Sequence, residues 1–515
     1  MTVGAKLMRP GRKDRWLILP AGILAGMAWE PLGLWLGIFP ALALFLGIQM
    51  SGDRSRVFLN TILFLVPAWG IPFHWVAAHP IGQAALSSVA ALIAYASVLG
   101  ACLAVAATLF AENTIPRLLA LMAGLLAFDA FIAFGPLAMP WLSFGLSTAP
   151  SSWSLGWAAW AGFRGLTLVT LTVASSLYLG IWAWFGLARE KSFRQVAVST
   201  VGGMLIFTAP WFPFLQSTST DDLQEAQTLT FALVEPGWAP SAWAQVRDTS
   251  KVESFSNWLH TTSSQDRAHD VDMFILPETA LPLGDHASLR RWIEDLSRSA
   301  GTSVISGGIL REMVNGQTLN IGISSAHIEG IHAKRRLVPF AEKVPFSEWI
   351  PFFDRFSVAS GGVSSYTAGT STGPVSVAGY STGIMICFES LFAQDARGLR
   401  RAGANMITVL TQDGWWDSDA ARRQHHAFSR VLAASIATPV LHATVDGRSG
   451  GFSSDGQSLD LFSIPSAPVL VGEVAIENRS SLYLLSGDWP FFAIFAALLA
   501  LLMTMYLRSP RRVTP

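Results

Sequence analysis

The sequence contains few cysteines and few charged residues. Cys102 and Cys387 are its only thiols in 515 residues, which excludes a disulfide scaffold and a cysteine-based zinc site of ordinary ligand count. Charged residues make up 14% of the chain, compared with about 25% in soluble proteins. The formal net charge is zero, so the composition gives no overall indication of nucleic-acid binding. Glycine-rich phosphate loops and clustered metal ligands are absent from the sequence, so we expect neither a cofactor nor a bound metal.

Apolar residues, by contrast, are abundant. They form 51% of the chain, and the mean hydropathy is +0.41, which indicates a protein with several membrane-spanning helices. A spanning helix needs about 20 residues to cross about 30 Å of hydrocarbon. The long apolar stretches predict about eight such helices, at residues 15–30, 33–50, 57–76, 84–111, 117–135, 160–187, 195–215 and 488–507.

The placement of lysine and arginine predicts the orientation of these helices. Basic residues cluster within the segments 6–15, 54–56, 189–194 and 508–512, whereas the loops 77–83 and 136–159 contain none. Arg164 is the one basic residue that departs from this trend. Because cytoplasmic loops are enriched in Lys and Arg, we expect both termini in the cytoplasm. The N-terminal basic and apolar segment is then a retained first helix and not a cleaved signal peptide.

The chain is predicted to consist of three parts. Residues 1–217 form a transmembrane bundle of about seven helices, 218–486 an extracytoplasmic domain, and 487–515 a final helix with a short cytoplasmic tail. Within the middle part, β-rich runs alternate with helical patterns, which predicts an α/β domain of layered sheets and helices. The runs are 229–234, 273–276, 302–305, 384–386, 406–410 and 469–474, and the helices are 288–300 and 420–436.

Apolar runs in the middle part end beside polar residues that can perform catalysis. Glu278 follows one run, Lys334 and Glu342 lie in the segment 333–342, and Cys387 follows another run, with Phe388 and Glu389 after it. A thiolate is a good nucleophile, but a free thiol is only a few per cent ionised at neutral pH. Glu278 is suited to take the thiol proton, and Lys334 to stabilise an oxyanion with help from a backbone N–H near the cysteine.

These motifs resemble a known family. The order of Glu278, Lys334 and Cys387 is similar to that of the nitrilase (carbon–nitrogen hydrolase) superfamily, and Leu337-Val-Pro-Phe-Ala-Glu-Lys-Val-Pro345 resembles its apolipoprotein N-acyltransferase branch. Three further segments also resemble signatures of that branch, namely Phe73-His-Trp75, Pro140-Trp-Leu-Ser-Phe-Gly145 and Gln412-Asp-Gly-Trp-Trp416. The resemblance covers nearly the whole chain.

The resemblance implies a fold and an activity. The fold is a membrane α-helical bundle of about eight helices joined to a nitrilase-like αββα sandwich. Glu278, Lys334 and Cys387 are then catalytic, and Glu342, Glu389 and Phe388 support them. An acyl chain would pass from a membrane phospholipid to Cys387 as a thioester, and then to the N-terminal amine of a diacylglyceryl-cysteine on a lipoprotein. The enzyme would be a multi-pass protein of the bacterial inner membrane with a periplasmic catalytic domain, and its partners would include no nucleic acid.

Other residues have weaker support from the sequence. Trp238, Trp243, Trp415 and Trp416, together with Asn320, are candidates for a substrate or acyl-chain cleft, although membrane tryptophans commonly serve as interfacial anchors. His425-His426 is too short a cluster for a metal site, and a solvated helix face is predicted there. Arg430 fits either an ion pair or a headgroup contact.

Simpler interpretations remain open for each site residue on its own. Cys387 fits an inert core cysteine, Glu278 a solvated loop carboxylate or helix cap, Glu342 an ordinary salt-bridge partner, and Lys334 a basic surface turn or a patch for lipid phosphates.

The sequence also departs from the family's usual residues, at Phe388, at Gln412 and Gly414, and over 239–242, 432–435 and 442–447. An amidase, an acyltransferase with another acceptor such as a conjugation-associated paralogue, and an inactive membrane scaffold are therefore the alternative functions.

Overall fold

The computed structural model describes residues 14–50, 53–78, 83–108, 114–184, 190–209, 227–239, 245, 247–264, 271–313, 316–352, 366–370, 373–416 and 418–508. The chain divides into two compact units. The first, the helical unit, comprises Met1–His74, Val89–Ser217 and Ser486–Pro515. The second, the sheet unit, comprises Trp75–Ser88 and Thr218–Leu485.

The helices are numbered here along the described chain. They are α1 (Ile18–Met27), α2 (Ile38–Gln49), α3 (Arg54–Gly70), α4 (Gln83–Thr108), α5 (Thr114–Phe131), α6 (Ser152–Trp184), α7 (Glu190–Thr208), α8 (Ser250–Ser263), α9 (His286–Ala300), α10 (Ala393–Arg401), α11 (Asp419–Ile436), α12 (Leu482–Ser486) and α13 (Trp489–Arg508). The helix α6 is interrupted at Gly162, whose φ of 64° is not helical.

Small residues bring helices of the helical unit close together. Gly22 and Gly26 lie one turn apart on α1, where the helix packs against α3. A Cβ atom at Gly22 would lie 2.4 Å from the carbonyl oxygen of Phe64, and one at Gly26 would lie 2.7 Å from that of Pro67. Glycine at these two positions therefore allows the backbones to approach, as small-residue motifs do between membrane helices.

Several polar side chains inside the helical unit are paired with one another. Ser143 and Thr167 donate hydrogen bonds to Asp129 Oδ1 at 2.6 and 2.8 Å. Arg164 Nε lies 3.4 Å from Asp488 Oδ2, and its guanidinium lies 4.6 Å from the centre of the Phe134 ring. Such pairs reduce the cost of burying polar groups among apolar helices.

The predicted number of spanning helices is not confirmed. Helices α1 to α7 and α13 overlap the eight predicted spans, but only three helices of the described chain are long and apolar enough to cross a membrane. These are Val89–Ala106 within α4, Ser152–Trp182 within α6, and Trp489–Leu507 within α13. The helices at Ile18–Met27 and Trp35–Gln49 are apolar but shorter than the roughly 20 residues needed. The chain is a membrane protein with several apolar helices.

The sheet unit is built from thirteen described strands. They are β1 (Gln227–Val234), β2 (Met273–Ile275), β3 (Leu281–Gly284), β4 (Ser303–Arg311), β5 (Thr318–Ser324), β6 (His327–Ala333), β7 (Val375–Val377), β8 (Tyr380–Ile386), β9 (Met406–Thr411), β10 (Val440–Thr444), β11 (Gly450–Phe452), β12 (Leu461–Ser463) and β13 (Val469–Ile476).

The strands form two sheets. The larger sheet has the order β12-β13-β1-β2-β4-β5-β6, with β3 paired to β4, and the smaller has the order β11-β10-β9-β8-β7. The centres of both are parallel: β1, β2 and β4 in one, and β8, β9 and β10 in the other. Each of the predicted β-rich runs overlaps one of these strands, and the two predicted helices correspond to α9 and α11.

Alternating side chains of β1 show how the layers pack. Leu229, Phe231 and Leu233 enter a core shared with the smaller sheet, where they meet residues such as Ile384 and Leu410. The intervening Ala232 and Val234 enter a second core with α8 and α9. Both faces of the strand are therefore buried, each large side chain contributing about 1.5–3 kcal/mol. With α10 and α11 against the smaller sheet, the layers are helix, sheet, sheet, helix.

Candidate active site

The turn that carries Glu278 follows the short parallel strand β2. Beyond the strand, Leu276 N–H donates to Ile305 O at 2.8 Å, and Gly307 N–H donates to Pro277 O at 3.2 Å. A Cβ atom at Gly307 would lie 2.7 Å from the Cα of Glu278, so glycine lets β4 support the turn closely. Glu278 is buried and has a fixed position at the end of the sheet.

Lys334 lies directly after β6 and is 1% exposed. Its Nζ donates to Glu278 Oε1 at 3.1 Å and to Glu342 Oε1 at 2.8 Å. Glu342 Oε2 accepts from the N–H of Val338 at 2.8 Å, which closes the turn that contains it. Asn320 Nδ2 donates to Glu278 Oε1 at 2.7 Å. The structure thus brings Glu278, Lys334 and Glu342 together, and the interpretation of Lys334 as a basic surface turn is wrong because its side chain is buried.

Charge in this cluster is set by burial and by neighbouring groups. Burial alone would lower the pKa of Lys334, but the carboxylates of Glu278 and Glu342 raise it well above its ordinary value. Burial also raises the pKa of Glu278, with a contribution from Glu342, while Lys334 and Asn320 oppose the increase. Lys334 is therefore a fixed ammonium, and Glu278 is a carboxylate whose affinity for a proton exceeds that of an exposed one.

Cys387 lies where β8 ends and a short 3₁₀ helix, Cys387–Leu391, begins. Its φ is +50°, in the left-handed region that residues with a Cβ rarely adopt. Glu389 stabilises this turn, since its carboxylate accepts from the N–H groups of Ile386 and Arg335, both at 2.8 Å. The same carboxylate lies 2.9 Å from Nε2 of His332. Glu389 therefore ties the cysteine turn to the segment that carries the lysine.

The thiol interacts with the charged cluster. Burial raises the pKa of Cys387, the Glu278 carboxylate raises it further, and the Lys334 ammonium opposes the increase. The hydroxyl of Thr411 also opposes the increase in the pKa of Cys387. A thiol in this setting is protonated at neutral pH, so it needs a base when it reacts. This arrangement is suited to a nucleophilic cysteine with an adjacent base and cation.

A second buried cluster was not predicted from the sequence. Asp413 Oδ1 lies 2.7 Å from His425 Nδ1, and Asp413 Oδ2 lies 3.3 Å from His442 Nε2. The solvated face predicted at His425-His426 is wrong, because His425 points from α11 toward the sheet and is 2% exposed. The separation of these residues along the chain conceals the cluster, and only the position of Asp413 just beyond β9 gives a sequence signal.

The second cluster has the composition of a metal site. Donor atoms of Asp413, His425 and His442 lie within 4.8 Å of one another. However, the remaining ring nitrogens are also engaged: His425 Nε2 lies 2.8 Å from Ser390 Oγ, and His442 Nδ1 lies 2.8 Å from Ser429 Oγ. On the inner side, His425 Nδ1 and Asp413 Oδ1 lie at the 2.7 Å of a direct hydrogen bond, and the hydrogen between them occupies the lone pair of Nδ1 that a metal would need.

The other predicted residues have varied surroundings. Phe388 is buried and packs against Phe392, with 5.4 Å between ring centres. Trp238 is half-buried and packs against Phe255 and Trp258, with 5.6 Å between ring centres in both pairs. Arg430 donates to Gly456 O at 2.9 Å.

Three further tryptophans are candidates for the cleft. Trp415 and Trp416 close the 3₁₀ turn Asp413–Trp416, and Trp243 lies outside the described residues. Whether any tryptophan lines an acyl-chain cleft stays a prediction.

Comparison with known proteins gives a family match for each of the two parts of the chain. Residues 21–176 match the model of the apolipoprotein N-acyltransferase N-terminal domain, and residues 240–459 match that of the carbon-nitrogen hydrolase domain. The apolipoprotein N-acyltransferase of Methylococcus capsulatus is 24% identical over 95% of this chain and 95% of its own. That of Azotobacter vinelandii is 24% identical over 99% of this chain and 98% of its own.

Solved structures give a weaker comparison. A carbon-nitrogen hydrolase from Helicobacter pylori G27 aligns with 55% of this chain and 95% of its own, at 13% identity and a TM-score of 0.36, which is too low to support an argument. The chain thus matches the model of the apolipoprotein N-acyltransferase N-terminal domain and that of the carbon-nitrogen hydrolase domain, and it is similar over nearly its full length to proteins named apolipoprotein N-acyltransferase.

Proposed function

We propose that this protein is an apolipoprotein N-acyltransferase that moves a fatty acyl chain from a membrane phospholipid, through a thioester on Cys387, to the N-terminal amine of a diacylglyceryl-cysteine. The observation that carries the proposal is the buried group of Glu278, Lys334 and Glu342 acting on the thiol of Cys387. Relatives named apolipoprotein N-acyltransferase support the choice of acceptor.

The first half-reaction loads the cysteine. Glu278 takes the proton of Cys387 as the sulfur attacks the ester carbonyl of the phospholipid. The negative charge that develops on the carbonyl oxygen is stabilised by the ammonium of Lys334. The tetrahedral intermediate then collapses, the C–O bond of the ester breaks, and Glu278 returns the proton to the departing lysophospholipid. A thioester remains on Cys387, and Glu278 is again a carboxylate.

The second half-reaction transfers the acyl group from Cys387 to the lipoprotein amine. The N-terminal amine of the lipoprotein attacks the thioester carbonyl while Glu278 accepts a proton from the nitrogen. The C–S bond breaks, the sulfur regains a proton from Glu278, and an amide is formed. Because the lysophospholipid departs before the amine reacts, the kinetics are ping-pong. Glu342 holds the ammonium of Lys334 in place throughout, at 2.8 Å.

We propose the same three-part organisation and orientation that the sequence predicts. Residues 1–217 and 487–515 would lie in the inner membrane with both termini in the cytoplasm, and residues 218–486 would lie in the periplasm. The basic segments of the chain support this orientation, because they recur on one side of the predicted helices. Both substrates are anchored in lipid, so a membrane-bound catalytic domain is suited to receive them.

The test uses the full chain in detergent with phospholipid that carries a labelled acyl group. We expect a label on Cys387 that hydroxylamine removes, and we expect a diacylglyceryl-cysteine peptide to collect it when its α-amine is free but not when it is acetylated. Cys387→Ala abolishes the adduct, and Cys102→Ala, the matched control at an exposed cysteine, retains it. If water hydrolyses the label from Cys387 but the free amine does not collect it, the result would favour an amidase. If Cys387 acquires no label at all, the result would favour an inactive membrane scaffold.

A further inference from the structure

His425 contacts the backbone of the nucleophile. Its Nε2 lies 3.3 Å from the carbonyl oxygen of Cys387 and 2.8 Å from Oγ of Ser390, and its Nδ1 lies 2.7 Å from Oδ1 of Asp413. The carbonyl belongs to the residue whose φ is +50°. The proposed mechanism gives His425 no role, although it is buried directly behind the turn that presents the thiol.

The hydrogen-bond partners of His425 support a protonated, positively charged ring. Ser390 Oγ donates to Cys387 O at 2.8 Å, and a hydroxyl has only one hydrogen to donate. Ser390 Oγ is therefore the acceptor in its hydrogen bond with His425, and Nε2 of His425 carries the hydrogen that is donated. Because Nδ1 faces a carboxylate, it carries a hydrogen as well. With both nitrogens protonated, His425 is an imidazolium.

The surroundings of Asp413 are consistent with this assignment. Its carboxylate accepts from Thr411 Oγ1 at 2.9 Å and faces His442 Nε2 at 3.3 Å. It is therefore held ionised, and its pKa is well below the ordinary value because the two histidines outweigh the effect of burial. Burial would lower the pKa of His425, but Asp413, assisted by Glu278, raises it. His442 is kept neutral by burial, although Asp413 opposes this.

Ser390, His425 and Asp413 are hydrogen-bonded in series, as in the catalytic triad of a serine hydrolase. Ser390 is fully buried, so an acyl donor has no access to its oxygen. Its hydroxyl donates to Cys387 O at 2.8 Å and not to His425. In that arrangement His425 does not act as a base on Ser390.

We propose that His425 is a positioning residue for acyl transfer, whose imidazolium binds the carbonyl of Cys387 and the hydroxyl of Ser390 and so fixes the left-handed turn that presents the sulfur. The role in acyl transfer rests on the proposed function. Asp413 keeps the imidazolium charged, and its carboxylate also accepts from the hydroxyl of Thr411.

The test compares four variants of the full chain. His425→Leu removes both donors and the charge, His425→Gln keeps one N–H donor without the charge, and Asp413→Asn removes the carboxylate. His426→Gln is the matched control, because His426 is the next residue on the same helix, bonds instead to Arg448 O at 2.8 Å, and is neutral since burial lowers its pKa to about 4. The rate of alkylation of Cys387 by iodoacetamide is measured as a function of pH, alongside thioester formation.

We expect His425→Leu and Asp413→Asn to slow alkylation at pH 7 by roughly ten- to a hundredfold, the effect of losing a charge-assisted hydrogen bond. In His425→Leu the rising limb of the alkylation profile shifts to higher pH, because a positive charge near the thiolate has been lost. In Asp413→Asn this shift is opposed, because the carboxylate that is removed raises the pKa of Cys387. His425→Gln recovers part of the rate, and His426→Gln behaves as wild type.

A wild-type rate and an unshifted profile in His425→Leu would overturn the proposal. If that variant does not fold, the same result in both His425→Gln and Asp413→Asn overturns it. An acyl label on Ser390 in Cys387→Ala would also overturn it, in favour of a serine nucleophile. Alkylation requires no phospholipid, so it tests His425 even if no thioester forms on the wild-type enzyme, a result that would count against the proposed function alone.

Discussion

Replacing Lys334 by methionine removes a buried cation from between two carboxylates. At distances of 3.1 and 2.8 Å, and with an effective dielectric constant of about 20, the attractions to Glu278 and Glu342 are worth ~5 and ~6 kcal/mol. The desolvation of each ion offsets several kcal/mol of this, so we expect a net loss of stability of about 3–5 kcal/mol. The acylation rate should fall by a further factor of roughly a hundred to a thousand, because an oxyanion donor contributes about 2.7–4 kcal/mol.

A second variant separates the loss of stability from the loss of catalysis. In Lys334→Met/Glu342→Gln the local charge returns to that of the wild type, since one positive and one negative charge have been removed together. We expect the double variant to recover much of the thermal stability in detergent while forming no more thioester than the single variant. Lys343→Met is the matched control, because Lys343 is an exposed lysine that lies 3.7 Å from Glu348 at the surface.

Two results would refute this reasoning. If Lys334→Met formed the thioester at the wild-type rate, the ammonium would not be stabilising the developing oxyanion. If the double variant were as unstable as the single one, unpaired buried carboxylates would not be the cause of the instability. Thermal unfolding followed by tryptophan fluorescence gives the stability, and labelled phospholipid with quantified Cys387 adduct gives the rate.

Three further predictions follow from individual contacts. Asn320→Leu removes a donor that opposes the raised pKa of Glu278, so the acidic limb of the acylation profile moves to higher pH, and an unmoved limb would contradict this. In Glu389→Gln the side-chain amide N–H of the new glutamine faces backbone N–H groups that the carboxylate accepted from. We expect this to lower the free energy of unfolding by about 1–3 kcal/mol, which is measured as a lower unfolding temperature. The pKa of Glu389 is lowered in the folded wild type, so the stability that its carboxylate contributes is present at neutral pH. That stability is lost as the pH falls below the ordinary carboxyl range. Arg164→Met destabilises more than Arg164→Met/Asp488→Asn, because only the single variant leaves a buried charge unpaired, and equal unfolding temperatures would count against the pair.

The candidate catalytic residues could be selected because each lies beside a recognisable motif. Glu278, Lys334 and Cys387 lie within three residues of the ends of β2, β6 and β8, and strand ends are where an α/β sheet presents polar groups. The predicted β-rich runs located β2 and β8 but not β6, so Lys334 was identified from the motif at 333–342 and not from a predicted strand. Their order along the chain, matched to the family, then indicated which polar residues act together.

The network behind the nucleophile could not be predicted in the same way. Asp413, His425 and His442 lie on a turn, a helix and a strand, and their proximity depends on the parallel pairing of β9 with β10 and on the angle of α11. Single-residue patterns do not encode these tertiary relations. The role of Asn320 was missed for the same reason, since its contact with Glu278 spans two strands of the larger sheet.

The number of membrane-spanning helices stays a prediction for a different physical reason. Apolar composition identifies a segment that avoids water, but it does not distinguish a helix that crosses a bilayer from a short one that packs inside a bundle. The helices α1 and α2 contain 10 and 12 residues, of which five and nine are buried.

The left-handed backbone of Cys387 implies a trade-off between stability and activity at that position. A residue with a Cβ in this conformation costs about 1–3 kcal/mol, whereas glycine adopts it freely. We therefore expect Cys387→Gly to unfold at a higher temperature than the wild type while being inactive. A selection for heat resistance alone would then act against the nucleophile, and only continued demand for the reaction would keep a thiol in this turn.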